Sequence, residues 1–243
     1  MNILEMNRAK LMTLPIWKVR EPFSADEIFH IVDVFGASWS YDYEAAKRGK
    51  VGLHAKLKSG RHANRAFNSR VLFQAPNIRR IMACQIAMRL YGVLPQIPDY
   101  VAGIPNGATD LGKDLAWILS AKEAEMKKCN GKIHLAMNIG LSSILFVDDF
   151  FSVGTGLREA VLQTHQSQPE ANIVNCAPSI LNLGEKNLIV VEDVGIFPIF
   201  SVADGKVQSW EKSKCVLCNE FGSKPIKFKE TDENWTLLTT SQK

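Results

Sequence analysis

Residues 144–159 read ILFVDDFFSVGTGLRE: an apolar run, two consecutive carboxylates, a loop of glycine and hydroxyl residues, and the opening of a helix. No other stretch narrows the possible folds as far. A short apolar run that stops at Asp148 and Asp149 and passes through Gly154, Thr155 and Gly156 reads as a buried strand turning tightly into a helix. Similar runs at 100–104, 188–191 and 196–202 add further strands, and glycine turns follow the first of them. Together they predict an α/β fold with a central, mostly parallel sheet flanked by helices, Rossmann-like in plan.

The loop carries its own chemistry. Glycines let successive backbone N–H groups of Ser152, Val153, Gly154, Thr155 and Gly156 turn toward one point, and the following helix adds its N-terminal partial charge. The hydroxyls of Ser152 and Thr155 donate further hydrogen bonds, so the loop suits a phosphate. Asp148 and Asp149, at the C-terminal end of a parallel strand, suit the 2′ and 3′ hydroxyls of a ribose. Phosphate donors beside diol acceptors describe a phosphorylated ribose such as phosphoribosyl pyrophosphate. The plain alternative is an ordinary tight turn with Asp149 as a helix cap.

Elsewhere, Ser24 with Asp26 and Glu27 predicts a capped helix running through Phe35 to Gly36. Residues 51–58 and 66–73 alternate in polarity, predicting two short strands joined by a polar turn as an antiparallel hood. Pro76 opens a periodic helix that buries Ile78, Ile81, Met82, Ile86, Ala87 and Leu90 and ends at Gly92. Residues 109–132 stay ambiguous between one long helix and a strand near 117–120. The organisation expected is an N-terminal helix and hood (1–75) forming one domain with a core (76–210), then a polar tail (211–243).

A net charge of +4, from 29 basic and 25 acidic residues, lacks the concentrated basic face of a nucleic-acid binder. Five scattered cysteines make no disulfide framework, and no apolar run is long enough for a signal peptide or a membrane span. The expectation is a cytoplasmic protein that uses neither nucleic acid nor membrane. Cys215 and Cys218 form a single CxxC; without a second pair they favour free structural thiols over zinc.

The 144–159 motif resembles that of type I phosphoribosyltransferases, most nearly the orotate branch, where the loop continues into an Arg-Glu pair like Arg158 and Glu159. A second match is Leu57, Lys58, Ser59, Gly60 and Arg61 followed by Phe67 and Asn68, which resembles the hood motif of that branch. A looser third is Pro105, Asn106 and Gly107, placed where the family has its pyrophosphate-binding loop. The resemblance implies transfer of ribose 5-phosphate from phosphoribosyl pyrophosphate to a nucleobase, orotate above all, by a homodimer, with Mg²⁺ carried by the donor and no direct protein metal site. It also implies catalytic roles for Asp148, Asp149, Lys58 and Lys122, and a base-binding surface at Lys58 and Phe67.

The sequence departs from the family at the mobile catalytic loop. Its counterpart, residues 121–127, keeps Lys122 and Glu123, but Ala121, Glu125 and Lys127 replace the arginine, second lysine and histidine. Lys127, Lys128, Lys132 and His134 either restore the charge through a shifted loop or form a solvated face. Ala66 stands where the family has an aromatic. His62, Asn64 and Arg65 either read a different base or are merely solvated. A non-catalytic sensor of the donor is the competing reading.

Overall fold

The computed structural model describes residues 1–243, and the chain divides into two compact units. The larger comprises Met1–Ile31 and Leu72–Lys206; the smaller comprises Val32–Val71 and Val207–Lys243. This differs from the expected organisation: the first 31 residues join the core, and the C-terminal segment is no separate tail.

The larger unit is built on a seven-stranded sheet. Across it run Leu188–Val191, Gly195–Asp204, Ala177–Asn182, Ser143–Phe151, Tyr100–Gly103 and Lys122–Glu123, with Asn172–Ile173 beside the start of Ser143–Phe151. All are parallel except Leu188–Val191, which returns antiparallel along Gly195–Asp204. Strands buried on both faces need apolar side chains at successive positions, and Ile144, Leu145, Phe146 and Val147 supply them. The expected α/β sheet is present.

Helix Pro76–Leu90 buries Ile78, Ile81, Met82, Ile86 and Leu90, the periodic face expected of it, with Ala83 buried beside them. Its polar residues are engaged. Arg79 Nε lies 2.7 Å from Asp114 of helix Thr109–Leu119, and Arg89 donates to the carbonyls of Phe23 and Val202. The N-terminal segment is clipped to the same helix: Asn77 donates to the carbonyls of Leu11, Met12 and Leu14, and Gln85 accepts from Phe23 N at 2.6 Å. Helix Ala25–Val34 begins with the reciprocal pair foreseen at Ser24: Glu27 N donates to Ser24 Oγ, and Ser24 N donates to Glu27 Oε2.

The ambiguous stretch resolves into three elements: helix Thr109–Leu119, the edge strand Lys122–Glu123, and a hairpin of Met126–Cys129 with Lys132–Leu135. Asn130 and Gly131 take positive φ (51° and 82°) at the hairpin tip, as a two-residue primed turn requires.

In the smaller unit, Leu53–Lys56 and His62–Ala63 form the antiparallel pair, joined through a turn in which Leu57 N donates to Arg61 O. The strand expected at 66–73 is not there. Arg65–Phe67 instead pairs with Ser38–Ser40, and Ser69–Phe73 is a helix. From the C-terminal segment, Lys224–Ile226 adds to Leu53–Lys56 in parallel and Ser209–Trp210 adds to His62–Ala63. Its core gathers Trp39, Tyr41, Ala55, Ala63, Leu217, Phe228, Trp235 and Leu238. The buried Trp235 indole donates to Gly36 O, so residues remote in sequence complete one core. No helix of the chain is long and apolar enough to cross a membrane.

Candidate functional site

The nine-residue strand Ser143–Phe151 outruns its neighbour Tyr100–Gly103, which pairs with it only from Ile144 to Val147. At Ile104, whose N–H donates to Val147 O at 2.9 Å, that neighbour turns away. The last four residues of the long strand, Asp148 to Phe151, therefore have strand Ala177–Asn182 on one side, in register Ser179↔Asp148. On the other side the turn of Pro105, Asn106 and Gly107 closes against them. The turn is close: a Cβ on Gly107 would lie 2.3 Å from Asp149 Oδ2, so any side chain there must displace that carboxylate. The Pro105–Asn106 peptide is cis.

Neighbouring strand residues point to opposite faces, and the two carboxylates have different surroundings. Asp149, 9% exposed, accepts from Phe150 N at 2.7 Å through Oδ1 and keeps Oδ2 beside Gly107. Asp148 accepts from Asp149 N through Oδ1, and its Oδ2 lies beside Gly156, where an added Cβ would meet it at 3.5 Å.

Gly156 belongs to the first turn of helix Thr155–Ser167. Gly154 enters that helix with φ 72°, and no side chain caps it. The helix thus opens toward Asp148 with its first backbone donors uncapped by any side chain, an arrangement suited to an anion. The exposed Ser152 and Thr155 flank it.

Two residues known from the sequence only as part of a motif turn out to hold the cradle. Arg158 donates through Nη1 to Val153 O in the loop and through Nε to Val190 O at 3.0 Å, tying the loop to the edge strand. Glu159 accepts from Ile133 N at 2.8 Å, which fastens the 126–135 hairpin to the helix. Their alternation along the helix gave no warning of these jobs.

The fold has parallels among known proteins. The curated orotate phosphoribosyltransferase of Thermoanaerobacter sp. (strain X514) is 24% identical over 173 residues, covering 69% of this chain and 84% of that protein. The crystal structure of orotate phosphoribosyltransferase from Aeropyrum pernix superposes with a TM-score of 0.55 at 16% identity, over 73% of this chain and 93% of that one. The chain is thus similar in fold, and remotely in sequence, to phosphoribosyltransferases. An adenine phosphoribosyltransferase structure is also similar, with a TM-score of 0.46 at 18% identity over 65% of this chain and 99% of that one. No family model matches the sequence.

The larger unit brings together Asp148, Asp149, the loop Ser152 to Gly156, and Pro105, Asn106 and Gly107. Lys122 does not join them. It pairs with Tyr100, which pairs with Ile144, and Asp148 lies four residues farther along that strand, about 13 Å at ~3.3 Å per residue. Lys122 N donates to Asp99 O, and its ammonium sits 5.6 Å from the Tyr100 ring centroid. The edge-strand hydrogen bond holds this stretch in the sheet, where the resemblance implied a mobile loop. Glu125 and Lys127 pair with each other at 3.3 Å on the hairpin side.

In the smaller unit, Lys58 is exposed at the tip of the Leu53–Ala63 hairpin. Phe67 is 2% exposed, with the Arg65 guanidinium 5.2 Å from its ring centroid, so its face is already used. His62 is no solvated turn residue, since it lies on a strand with 1% exposure. Nor are Cys215 and Cys218 in a loose tail. Both approach His54, a residue that polarity alternation along 51–58 did not single out.

Proposed function

We propose that this chain binds phosphoribosyl pyrophosphate at the 148–156 cradle and transfers ribose 5-phosphate to a nucleobase, with orotate as the first candidate. The observation that carries the reading is the side-chain-uncapped N-terminus of helix Thr155–Ser167 facing the Asp148 carboxylate, with Gly107 closed against Asp149. The 5′-phosphate takes the backbone donors of residues 152–156. Asp148 and Asp149 orient the ribose hydroxyls, and the backbone of Pro105, Asn106 and Gly107 receives the leaving group.

A ring nitrogen of the base forms its bond to C1 as the bond from C1 to pyrophosphate breaks, through a transition state with oxocarbenium character. Positioning and fixed electrostatics suffice for this, and no covalent nucleophile is needed. A Mg²⁺ ion accompanying the donor is part of this reading. Carried by the donor with no direct ligand from the protein, it would supply neutralisation of the departing pyrophosphate. The similarity to orotate phosphoribosyltransferases supports orotate as the base to test first.

A second reading, a donor-binding sensor without turnover, is favoured by the position of Lys122 on the sheet edge and by Glu125 standing where the loop needs positive charge. One assay separates the two. Pyrophosphate release is measured with donor and Mg²⁺ against orotate and a panel of purine and pyrimidine bases. Turnover with orotate establishes the leading reading; donor binding that Asp149→Asn abolishes, without turnover on any base, establishes the sensor. Absence of any binding of phosphoribosyl pyrophosphate or ribose 5-phosphate would overturn both.

A further inference from the structure

Away from the cradle, the smaller unit gathers four ligand-type side chains around one point. His54 lies on Leu53–Lys56 and His62 opposite it on His62–Ala63, where Lys56↔His62 and Ala55↔Ala63 fix the register. Cys215 precedes the short helix Val216–Asn219 and Cys218 lies within it. One potential ligand atom from each, the two Sγ atoms and one nitrogen per imidazole, fall within 4.8 Å of one another.

The individual separations are more telling. His54 Nε2 is 3.0 Å from His62 Nδ1 and 3.6 Å from each Sγ, and Cys218 Sγ is 3.3 Å from His62 Nδ1. A tetrahedral zinc ion with ordinary bond lengths sets its ligand atoms about 3.3 Å apart for two nitrogens and about 3.6 Å for nitrogen and sulfur. The cluster already has nearly those edges.

A second observation concerns how His54 is held. Its Nδ1 lies 2.9 Å from Ser223 Oγ, and the Ser223 hydroxyl donates onward to Gly52 O at 3.1 Å. With its own proton committed to Gly52, Ser223 accepts from Nδ1–H, which leaves Nε2 as a bare lone pair aimed into the cluster. The backbone around the cysteines is equally fixed: Asn219 N donates to Cys215 O and Gly222 N to Cys218 O. His54 and Cys215 are fully buried, His62 is 1% exposed and Cys218 is half-buried, so the four side chains would fill a tetrahedral shell.

We propose that His54, His62, Cys215 and Cys218 bind one zinc ion, a structural site that pins the C-terminal segment to the His54–His62 hairpin. On binding, each thiol forms a sulfur–zinc bond and releases its proton to solvent, while the two imidazoles ligate as neutral groups. Two thiolates and one Zn²⁺ give a site of zero net charge, which suits its burial. The smaller unit is assembled from two stretches that the chain leaves after Val71 and regains at Val207, so the ion closes a unit that chain connectivity leaves open.

The test uses the full chain purified under reducing conditions without added metal. Elemental analysis is expected to give one zinc per chain, with Cys215 and Cys218 unreactive to thiol reagents until a chelator is added. Exchange with Co²⁺ should give the visible bands of a tetrahedral ion with thiolate-to-cobalt charge transfer. Cys84→Ser and Cys129→Ser should keep the metal. Cys218→Ser should lose it, and because that variant risks misfolding, Ser223→Ala is the gentler arm: a zinc affinity lower by about 10- to 100-fold in competition with a chromogenic chelator. Chain that is metal-free and takes up no stoichiometric Zn²⁺, an octahedral cobalt spectrum, or a Cys215–Cys218 disulfide in the reduced preparation would overturn the assignment.

Discussion

Arg158 donates a hydrogen bond to the main-chain carbonyl of Val153, the residue immediately before Gly154 in the loop that opens helix Thr155–Ser167. The same guanidinium reaches Val190 O, so one side chain fixes the loop to the neighbouring strand. Arg158→Ala removes both bonds while leaving the helix intact. Because the group is partly solvated, the expected cost is modest, about 1–2 kcal/mol, read as a roughly 5- to 30-fold weaker affinity for ribose 5-phosphate by calorimetry. Arg158→Lys should recover little of it, since an ammonium cannot span two carbonyls as a planar fork does. Wild-type affinity in both variants would show that the loop holds its shape unaided.

Two glycines near the cradle are predicted to fail in different ways when changed to alanine. At Gly107 the added methyl would press on the Asp149 carboxylate at 2.3 Å, a side-chain group that can swing aside. Gly107→Ala should therefore unfold near the wild-type temperature yet bind the donor at least about 10-fold more weakly, by displacing Asp149. At Gly112 the methyl would meet Gly103 N at 2.3 Å and Gly103 Cα at 2.6 Å, where helix and strand backbones touch. Gly112→Ala has no side chain to displace and should lose about 2–4 kcal/mol of stability in urea denaturation. Equal effects on binding and stability in both variants would contradict this division.

These contrasts also explain how far the sequence could be read. The 144–159 segment was legible because its apolar run, carboxylates and glycines each have a local physical use, and the helix from Pro76 because its periodicity and its N1 proline agree. Strand Ala177–Asn182 was not, although it lies between Gly195–Asp204 and Ser143–Phe151. Pro178 interrupts it, and a proline argues against an interior strand in any local reading. The 126–135 hairpin carried a usable signal, Asn130-Gly131, masked by lysines that suggest a solvated helix as readily. The cysteine pair was visible but its histidine partners were not: His54 and His62 are separated from Cys215 and Cys218 by most of the chain, and the folded pairings of Trp210 with His62 and of Pro225 with His54 unite them.

A pH-dependent contribution is expected at Asp99. Its Oδ2 accepts from both Ser143 N at 2.8 Å and Ser143 Oγ at 2.7 Å, joining the approach to strand Tyr100–Gly103 to the start of Ser143–Phe151. Those donors, the backbone one foremost, hold its pKa below the ordinary carboxylate value. A depressed folded-state pKa means that the stabilisation is fully present above the unfolded value of about 4 and is lost as pH falls through the lower folded value. Asp99→Asn should thus be less stable than wild type near neutrality, with the difference shrinking in melts taken below about pH 4. A difference that grows on acidification would contradict the assignment.

Lys122 gives the sharpest separation between what the motif implies and what the sheet permits. In the resembling family the corresponding lysine belongs to a loop that closes over the donor. Here its backbone donates to Asp99 O, and its register places it near the start of Ser143–Phe151 rather than beside Asp148. Bringing its ammonium to the cradle would require breaking the edge pairing and detaching the hairpin that Glu159 holds through Ile133. If the chain turns over with the strand in place, Lys122→Ala behaves as a surface substitution, changing kcat/KM by no more than about twofold. If turnover instead requires the stretch to leave the sheet, Lys122→Ala lowers kcat by about 100-fold or more, with little change in donor affinity. Hydrogen exchange at the Lys122 amide, measured with and without donor, supplies the independent reading: slow exchange in both states accompanies the first outcome, and donor-induced loss of protection accompanies the second.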